Sequence, residues 1–142
     1  MTNGARARIV LIVEDDESTG DVIAGAINEE RGYEATIVRN AADALSALAW
    51  MDPDLLVLDI RLPGMSGLEL YDTIRADERF KELPVVFETG GGRENTAALR
   101  DRGIATYVKK PFDIVELVHF VKRLVPPLLV PTLKGRAKKA AN

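Results

Sequence analysis

The sequence predicts an α/β protein built on a five-stranded, doubly wound parallel sheet with helices on both faces. Three observations predict it. Short apolar runs at residues 9–13, 35–38, 55–58, 85–87 and 105–108 alternate with helical patterns. Ser66-x-x-Glu69 and Asp113-x-x-Glu116 are capping-box signatures that open two of the helices. Gly32 and Gly103 fall where helices should stop. Five β/α repeats in this order argue parallel strands joined by crossover helices.

Each element has its own warrant. The first run, Ile9 to Val13, is followed directly by Glu14, Asp15 and Asp16. Asp16 reads as the start signal of the next helix, in which Val22, Ile23, Ala26 and Ile27 recur at helical spacing. Ala41, Ala44, Leu45 and Leu48 do the same after the second strand. The third strand, Leu55 to Leu58, is apolar throughout, which suits burial on both faces. It runs straight into Asp59 and the turn Leu62-Pro63-Gly64. A carboxylate at the end of a buried strand is costly unless it has work or a partner there.

Composition bounds the function. A chain of 142 residues, 46% hydrophobic and 29% charged, matches an ordinary globular domain. The absence of cysteine excludes disulfides and thiolate metal sites. The first apolar run is too short for a signal peptide or a membrane span, so the expected location is cytoplasmic, with no membrane partner. The formal charge is −3, but Lys134, Arg136, Lys138 and Lys139 put +4 on the tail and leave −7 on the rest. An acidic body is a poor nucleic-acid binder. The expected organisation is one domain over residues 1–125 and a tail, 126–142, that is first apolar and then basic.

In a doubly wound sheet, ligands sit beyond the carboxyl ends of the strands, at the switch point. Glu14-Asp15-Asp16, Asp59, Glu88-Thr89 and Lys109-Lys110-Pro111 all fall at such strand ends. Clustered carboxylates either rise in pKa or collect a cation. Oxygen ligands without His or Cys suit Mg²⁺. A carboxylate beside that cation is a plausible nucleophile toward a phosphoryl group, with a lysine neutralising charge on the transferring oxygens.

At this point the sequence resembles a known family, the receiver domain of two-component response regulators. The motifs "VLIVEDDE", "LLVLDIRLPGMSG", "VVFETG" and "YVKKPF" carry the resemblance, in order, across about residues 7 to 125. It implies a flavodoxin-like (βα)5 fold and a phosphoacceptor at Asp59. It implies Asp15 as a direct Mg²⁺ ligand, Glu14 as one acting through water, and the backbone carbonyl of Arg61 as the remaining protein ligand. Thr89 and Tyr107 are implied as the switch pair, and Lys110 as the phosphate-binding lysine. Lys109 is the decoy of its pair, because the family lysine directly precedes proline. The Lys110-Pro111 bond is expected cis. A histidine kinase or histidine phosphotransfer protein would be the phosphodonor, and the signal would leave through a downstream protein target. His119, the only histidine, reads as a surface residue and not a phosphorelay donor.

Two departures from the family pattern stand out. Glu88 occupies a normally apolar position of the fourth strand, which predicts that it points to an edge or pairs with a cation such as Arg61 or Arg93. The stretch "TGGGREN" puts three glycines where the fourth helix should begin. They lack phosphate-cradle spacing and read as flexibility.

Two rival functions are a phosphorylation-independent receiver-fold scaffold and an FMN-binding electron carrier of the same fold class. The intact set of Asp15, Asp59, Thr89 and Lys110 speaks against the first. An acidic edge and an aromatic content of 6% speak against the second. In the last helix, residues 113–125, Ile114, Leu117, Val118, Val121, Leu124 and Val125 form one stripe. Val115 and Phe120 widen it beyond what docking on the core requires. The surplus is expected either to be covered by neighbouring side chains or by the tail residues Leu128, Leu129 and Val130, or to meet a partner or second copy through the face of helix four, strand five and helix five.

Overall fold

The computed structural model describes residues 6–128. Five strands, β1 (Arg8–Val13), β2 (Tyr33–Val38), β3 (Leu55–Asp59), β4 (Val85–Thr89) and β5 (Tyr107–Lys109), alternate with five helices. The helices are α1 (Glu17–Asn28), α2 (Ala41–Leu48), α3 (Gly67–Arg75), α4 (Arg93–Asp101) and α5 (Ile114–Leu124). Every strand pair is parallel, and the order is β2-β1-β3-β4-β5. The order reverses between β1 and β3, which opens a crevice at their carboxyl ends.

Alternation along the strands divides the core in two. Val10, Ile12, Val57, Val86 and Val108 face α1 and α5, where Ile23, Ile27, Leu117 and Val121 meet them. Leu11, Val13, Leu56, Leu58 and Phe87 face the other way, onto Ala44, Leu48, Leu70, Ile74 and Leu99. Burial of each large side chain stabilises by about 1.5–3 kcal/mol. All five residues of β3 are buried, as its unbroken apolar run requires.

Most helix ends follow their sequence signals, but α1 ends at Asn28 with Glu29 as its C-cap, so Gly32 (φ 91°) lies in the turn before β2 and not at the helix end. Ser66 accepts from Glu69 N at 3.2 Å while Glu69 accepts from Ser66 N at 2.9 Å, a full capping box. Asp16 caps α1 by accepting from Thr19 N. Asp113 caps α5 with a single bond from Val115 N rather than the reciprocal pair expected with Glu116. Gly103 takes the left-handed conformation just beyond α4, φ 73°.

Some local expectations are corrected. The core stripe of α1 is Gly20, Ile23, Ala24 and Ile27, an i, i+3, i+4, i+7 face, and Val22 is 58% exposed. The fifth strand begins at Tyr107 rather than at residue 105. Before it, the Thr106 carbonyl still accepts from Phe87 N. In α5 the buried positions are Leu117 and Val121, Phe120 packs partly against the core, and Leu124 lies at the surface. The tail expected from residue 126 is described only to residue 128. There the Pro126 carbonyl accepts from Arg8 Nε at 2.7 Å, and Leu129, Val130 and the basic residues lie outside the described part.

Candidate functional site

Register builds the site. Val13 pairs with Leu58 and Asp59 pairs with Glu88, so Glu14, Asp59 and Glu88 follow one another across β1, β3 and β4. Alternation sends all three to the face of Ile12, Val57 and Val86. Lys110 shares the face of Val108, one strand further on. Backbone bonds hold these tips: Glu14 N donates to the Val38 carbonyl at 3.0 Å, Ile60 N to Glu88 at 3.1 Å and Lys110 N to Thr89 at 2.7 Å. Gly67 holds α3 against the end of β3. Its N–H donates to Ile60 at 2.8 Å, and any Cβ there would collide with the Asp59 carbonyl oxygen. Only glycine allows that approach.

Asp59 is buried, and its carboxylate is gripped at both oxygens. Oδ1 accepts from Arg61 N at 3.1 Å and Oδ2 from Lys110 Nζ at 3.0 Å. Burial pushes its carboxyl up to about 6, opposed by the Lys110 hydrogen bond and reinforced by the charge of Glu14. For Lys110, burial works against the charged form, but the Asp59 hydrogen bond and the charges of Asp59, Glu14 and Glu88 leave its pKa raised. The lysine is therefore a fixed cation under a poised carboxylate.

Glu14 is fully buried. Its Oε2 accepts from Asp16 N at 3.0 Å, whereas Oε1 has no hydrogen-bond partner and lies 3.8 Å from Lys110 Nζ. Asp15 is exposed at the rim. One carboxylate oxygen from each of Glu14, Asp15 and Asp59 comes within 4.8 Å of the others. This all-oxygen set, with one orphaned buried acceptor, fits a small hard divalent cation.

The expectation for Glu88 holds in part: it has a cation for a partner but does not point to an edge. It lies on an interior strand, with no solvent exposure, and its nearest cation is Lys110 at 4.0 Å rather than Arg61 or Arg93. The register with Asp59 decides this, because the side chain can only point into the acidic pocket. Burial first, and then Glu14, push its carboxyl up to about 9.

Thr89 and Tyr107 are placed together, but on the opposite face. Tyr107 pairs with Phe87 in register and packs against that half of the core, and Thr89 lies two residues along on the same side. The Thr89 hydroxyl accepts from Gly91 N at 3.1 Å, which ties it to the glycine-rich loop. Lys109 also faces this side. It lines a cleft with Gly92, Arg93, Thr96 and Arg100, whereas Lys110 points the other way. Gly91 and Gly92 both have positive φ, 95° and 93°, and α4 starts at Gly92 without a side-chain cap. The Lys110-Pro111 bond is cis, and His119 is exposed.

One feature escaped the sequence. Ser18, Thr19 and Val22 of α1 form a groove with Pro111, Phe112 and Ile114, and Lys110 stands in its wall. Its only linear signal was Val22, an apolar residue off the buried stripe of α1.

The fold and this acidic crevice define a doubly wound α/β domain whose working edge is the carboxyl end of its sheet. The chain belongs to the response regulator receiver domain family, which it matches over residues 10–122. It is 38% identical over 125 residues to the nitrogen assimilation regulatory protein NtrX of Azorhizobium caulinodans, covering 86% of this chain but 27% of that protein. It thus spans about a quarter of that longer relative. It is 32% identical to the polar-differentiation response regulator DivK of Brucella anthropi, covering 80% of this chain and 92% of DivK. A putative response regulator from Chloroflexus aurantiacus superposes with a TM-score of 0.74 at 31% identity, over 84% of this chain and 98% of that one. The flavodoxin-like fold is therefore that of the receiver domains of two-component systems, a class of signalling proteins rather than classical enzymes.

Proposed function

We propose that the protein accepts a phosphoryl group on Asp59 and signals through altered protein binding. The observation that carries this is the 3.0 Å contact between Lys110 Nζ and a buried strand-end carboxylate flanked by Glu14 and Asp15. In the proposed step an Asp59 oxygen attacks phosphorus. A P–O bond forms as the P–N bond to a donor histidine breaks, and the leaving imidazole nitrogen takes up a proton. Lys110 neutralises one phosphoryl oxygen, and the Arg61 N–H orients the carboxylate that attacks. Asp15, Asp59, the Arg61 carbonyl and, through water, Glu14 would hold Mg²⁺. When bound, Mg²⁺ supplies further positive charge against the transferring group. Thr89 would follow the new phosphoryl group and Tyr107 would follow Thr89.

The donor in this reading is a histidine kinase or a histidine phosphotransfer protein, and the groove between Val22 and Phe112 is the surface we assign to it. The cleft of α4 and β5, with α5 beside it, is assigned to a downstream target or a second copy of the chain. In this reading residues 1–125 are the receiver unit, residues 126–142 its C-terminal tail, and the setting is the cytoplasm. Among the described residues, no helix is long and apolar enough to cross a membrane.

Incubation with acetyl phosphate and Mg²⁺, read by intact mass, tests the proposal. One phosphoryl group should add to the wild type and none to Asp59→Asn. Equal labelling of that variant would remove Asp59 from the role. No labelling of the wild type would favour the phosphorylation-independent scaffold.

A further inference from the structure

Glu88 is not used by the proposed step, yet it is aimed into the site. Its side chain has no solvent exposure, and neither carboxyl oxygen has a hydrogen-bond partner. It stands on β4, between the strand that carries Asp59 and the strand that leads to Lys110. It is not among the three acids whose oxygens converge for a cation. It faces the Glu14 carboxyl on one side and the ammonium of Lys110 on the other.

An ammonium carries three donors. Around Lys110 Nζ stand three buried carboxyl oxygens, of Asp59 at 3.0 Å, Glu14 at 3.8 Å and Glu88 at 4.0 Å. Only the first is close enough for a hydrogen bond. The other two have no partner at hydrogen-bond distance, which costs free energy in a buried site. A small adjustment of the flexible lysine stem would satisfy Glu88. A divalent cation drawn to Asp59, Asp15 and Glu14 repels the ammonium and engages two of its three partners. Glu88 is the acceptor that remains.

We propose that Glu88 is a positioning residue for Lys110, a second resting place for the ammonium. It competes with Asp59 before phosphorylation and with the phosphoryl group afterwards. The inference rests on the phosphoacceptor reading of Asp59. By drawing Lys110 aside, Glu88 frees the Asp59 carboxylate for Mg²⁺ and weakens the lysine's hold on a bound phosphoryl group. What Lys110 meets is a buried acceptor oxygen, which glutamine keeps and leucine removes.

The test compares Glu88→Gln and Glu88→Leu with the wild type. Calorimetry measures the affinity for Mg²⁺ and, in its presence, for trifluoroberyllate. One charged hydrogen bond lost or gained implies that Glu88→Leu weakens Mg²⁺ binding and tightens trifluoroberyllate binding, each about ten-fold or more. Glu88→Gln should restore the wild-type pattern. A structural role alone would shift both affinities the same way, and that result overturns the proposal. So does a glutamine variant that behaves like the leucine one. Leucine suits a position that shares its face with Val86, and thermal unfolding checks that the variant is folded.

A second readout needs neither ligand. In the metal-free protein the ¹⁵N signal of the Lys110 ammonium should move in Glu88→Leu and hold in Glu88→Gln. An unmoved signal in Glu88→Leu refutes the contact. If the wild type binds neither Mg²⁺ nor trifluoroberyllate, the phosphoacceptor reading falls, and this signal still decides the pairing of Lys110 with Glu88.

Discussion

Lys110 Nζ donates to Asp59 Oδ2 across 3.0 Å, from a residue 51 positions further along the chain. The bond exists because β5 ends two strands away from β3 in the sheet, with both side chains on the same face. It keeps an otherwise costly buried carboxylate ionisable. It also puts a cation where a phosphoryl oxygen would arrive.

The first prediction follows from that cation. Lys110→Met keeps the stem and deletes the charge. Phosphorylation of Asp59 by acetyl phosphate should slow by roughly 10²–10³-fold, the usual loss when one electrostatic stabiliser is removed. Time courses of intact mass measure it. An unchanged rate would show that the lysine's charge takes no part in the transfer.

Metal dependence separates two adjacent acids. Excess chelator should abolish phosphorylation, and added Mg²⁺ should restore it. Asp15→Ala should weaken Mg²⁺ binding by an order of magnitude or more, since Asp15 is one of the three convergent acids. Asp16 instead caps α1 through Thr19, so Asp16→Ala should cost about 1 kcal/mol of stability with little effect on metal. Titration calorimetry and urea unfolding on both variants give the ranking. The reverse order would mean that the two acids have exchanged roles.

Stability should fall as pH rises. Glu88 is raised in the folded protein from 4.5 to about 9, and Asp59 from 3.8 to about 6. The folded state therefore binds protons that the unfolded state has released. The loss begins as pH passes the unfolded values and is complete above the folded ones. It accrues between 3.8 and about 6 for Asp59, and between 4.5 and about 9 for Glu88. Glu88→Leu should remove the alkaline part of the slope. Urea unfolding across the window checks this. An alkaline slope that survives in the leucine variant would assign it to another group.

The output surface can be mapped directly. Thr89 is bonded to Gly91 at the uncapped entry of α4, and Tyr107 stands on the same face of the sheet. A loop rich in glycine is inexpensive to rearrange. Trifluoroberyllate with Mg²⁺ should change hydrogen exchange across residues 89 to 125. Changes confined to the acidic pocket would count against a route through Thr89 and Tyr107.

The sequence by itself determined the sheet and the chemistry of its rim. Unbroken apolar runs and capping residues are local signals, so Asp59 at a buried strand end, Asp16 as a cap and the Ser66–Glu69 box could all be read along the chain. Lys110 was separable from Lys109 because a proline follows only one of them, and strand alternation then sends the two to opposite faces. Tertiary structure decided everything that depends on register between strands. Glu88, at a normally apolar strand position, looked like a residue seeking an edge or a cation such as Arg61 or Arg93, and the sequence could not say which. Its neighbours in space are Asp59 across the ladder and Lys110 beyond it. The groove that exposes Val22 likewise needs α1 and the segment after β5 to meet. Pairing of distant strands sets which polar groups share one desolvated pocket, and no local pattern encodes that.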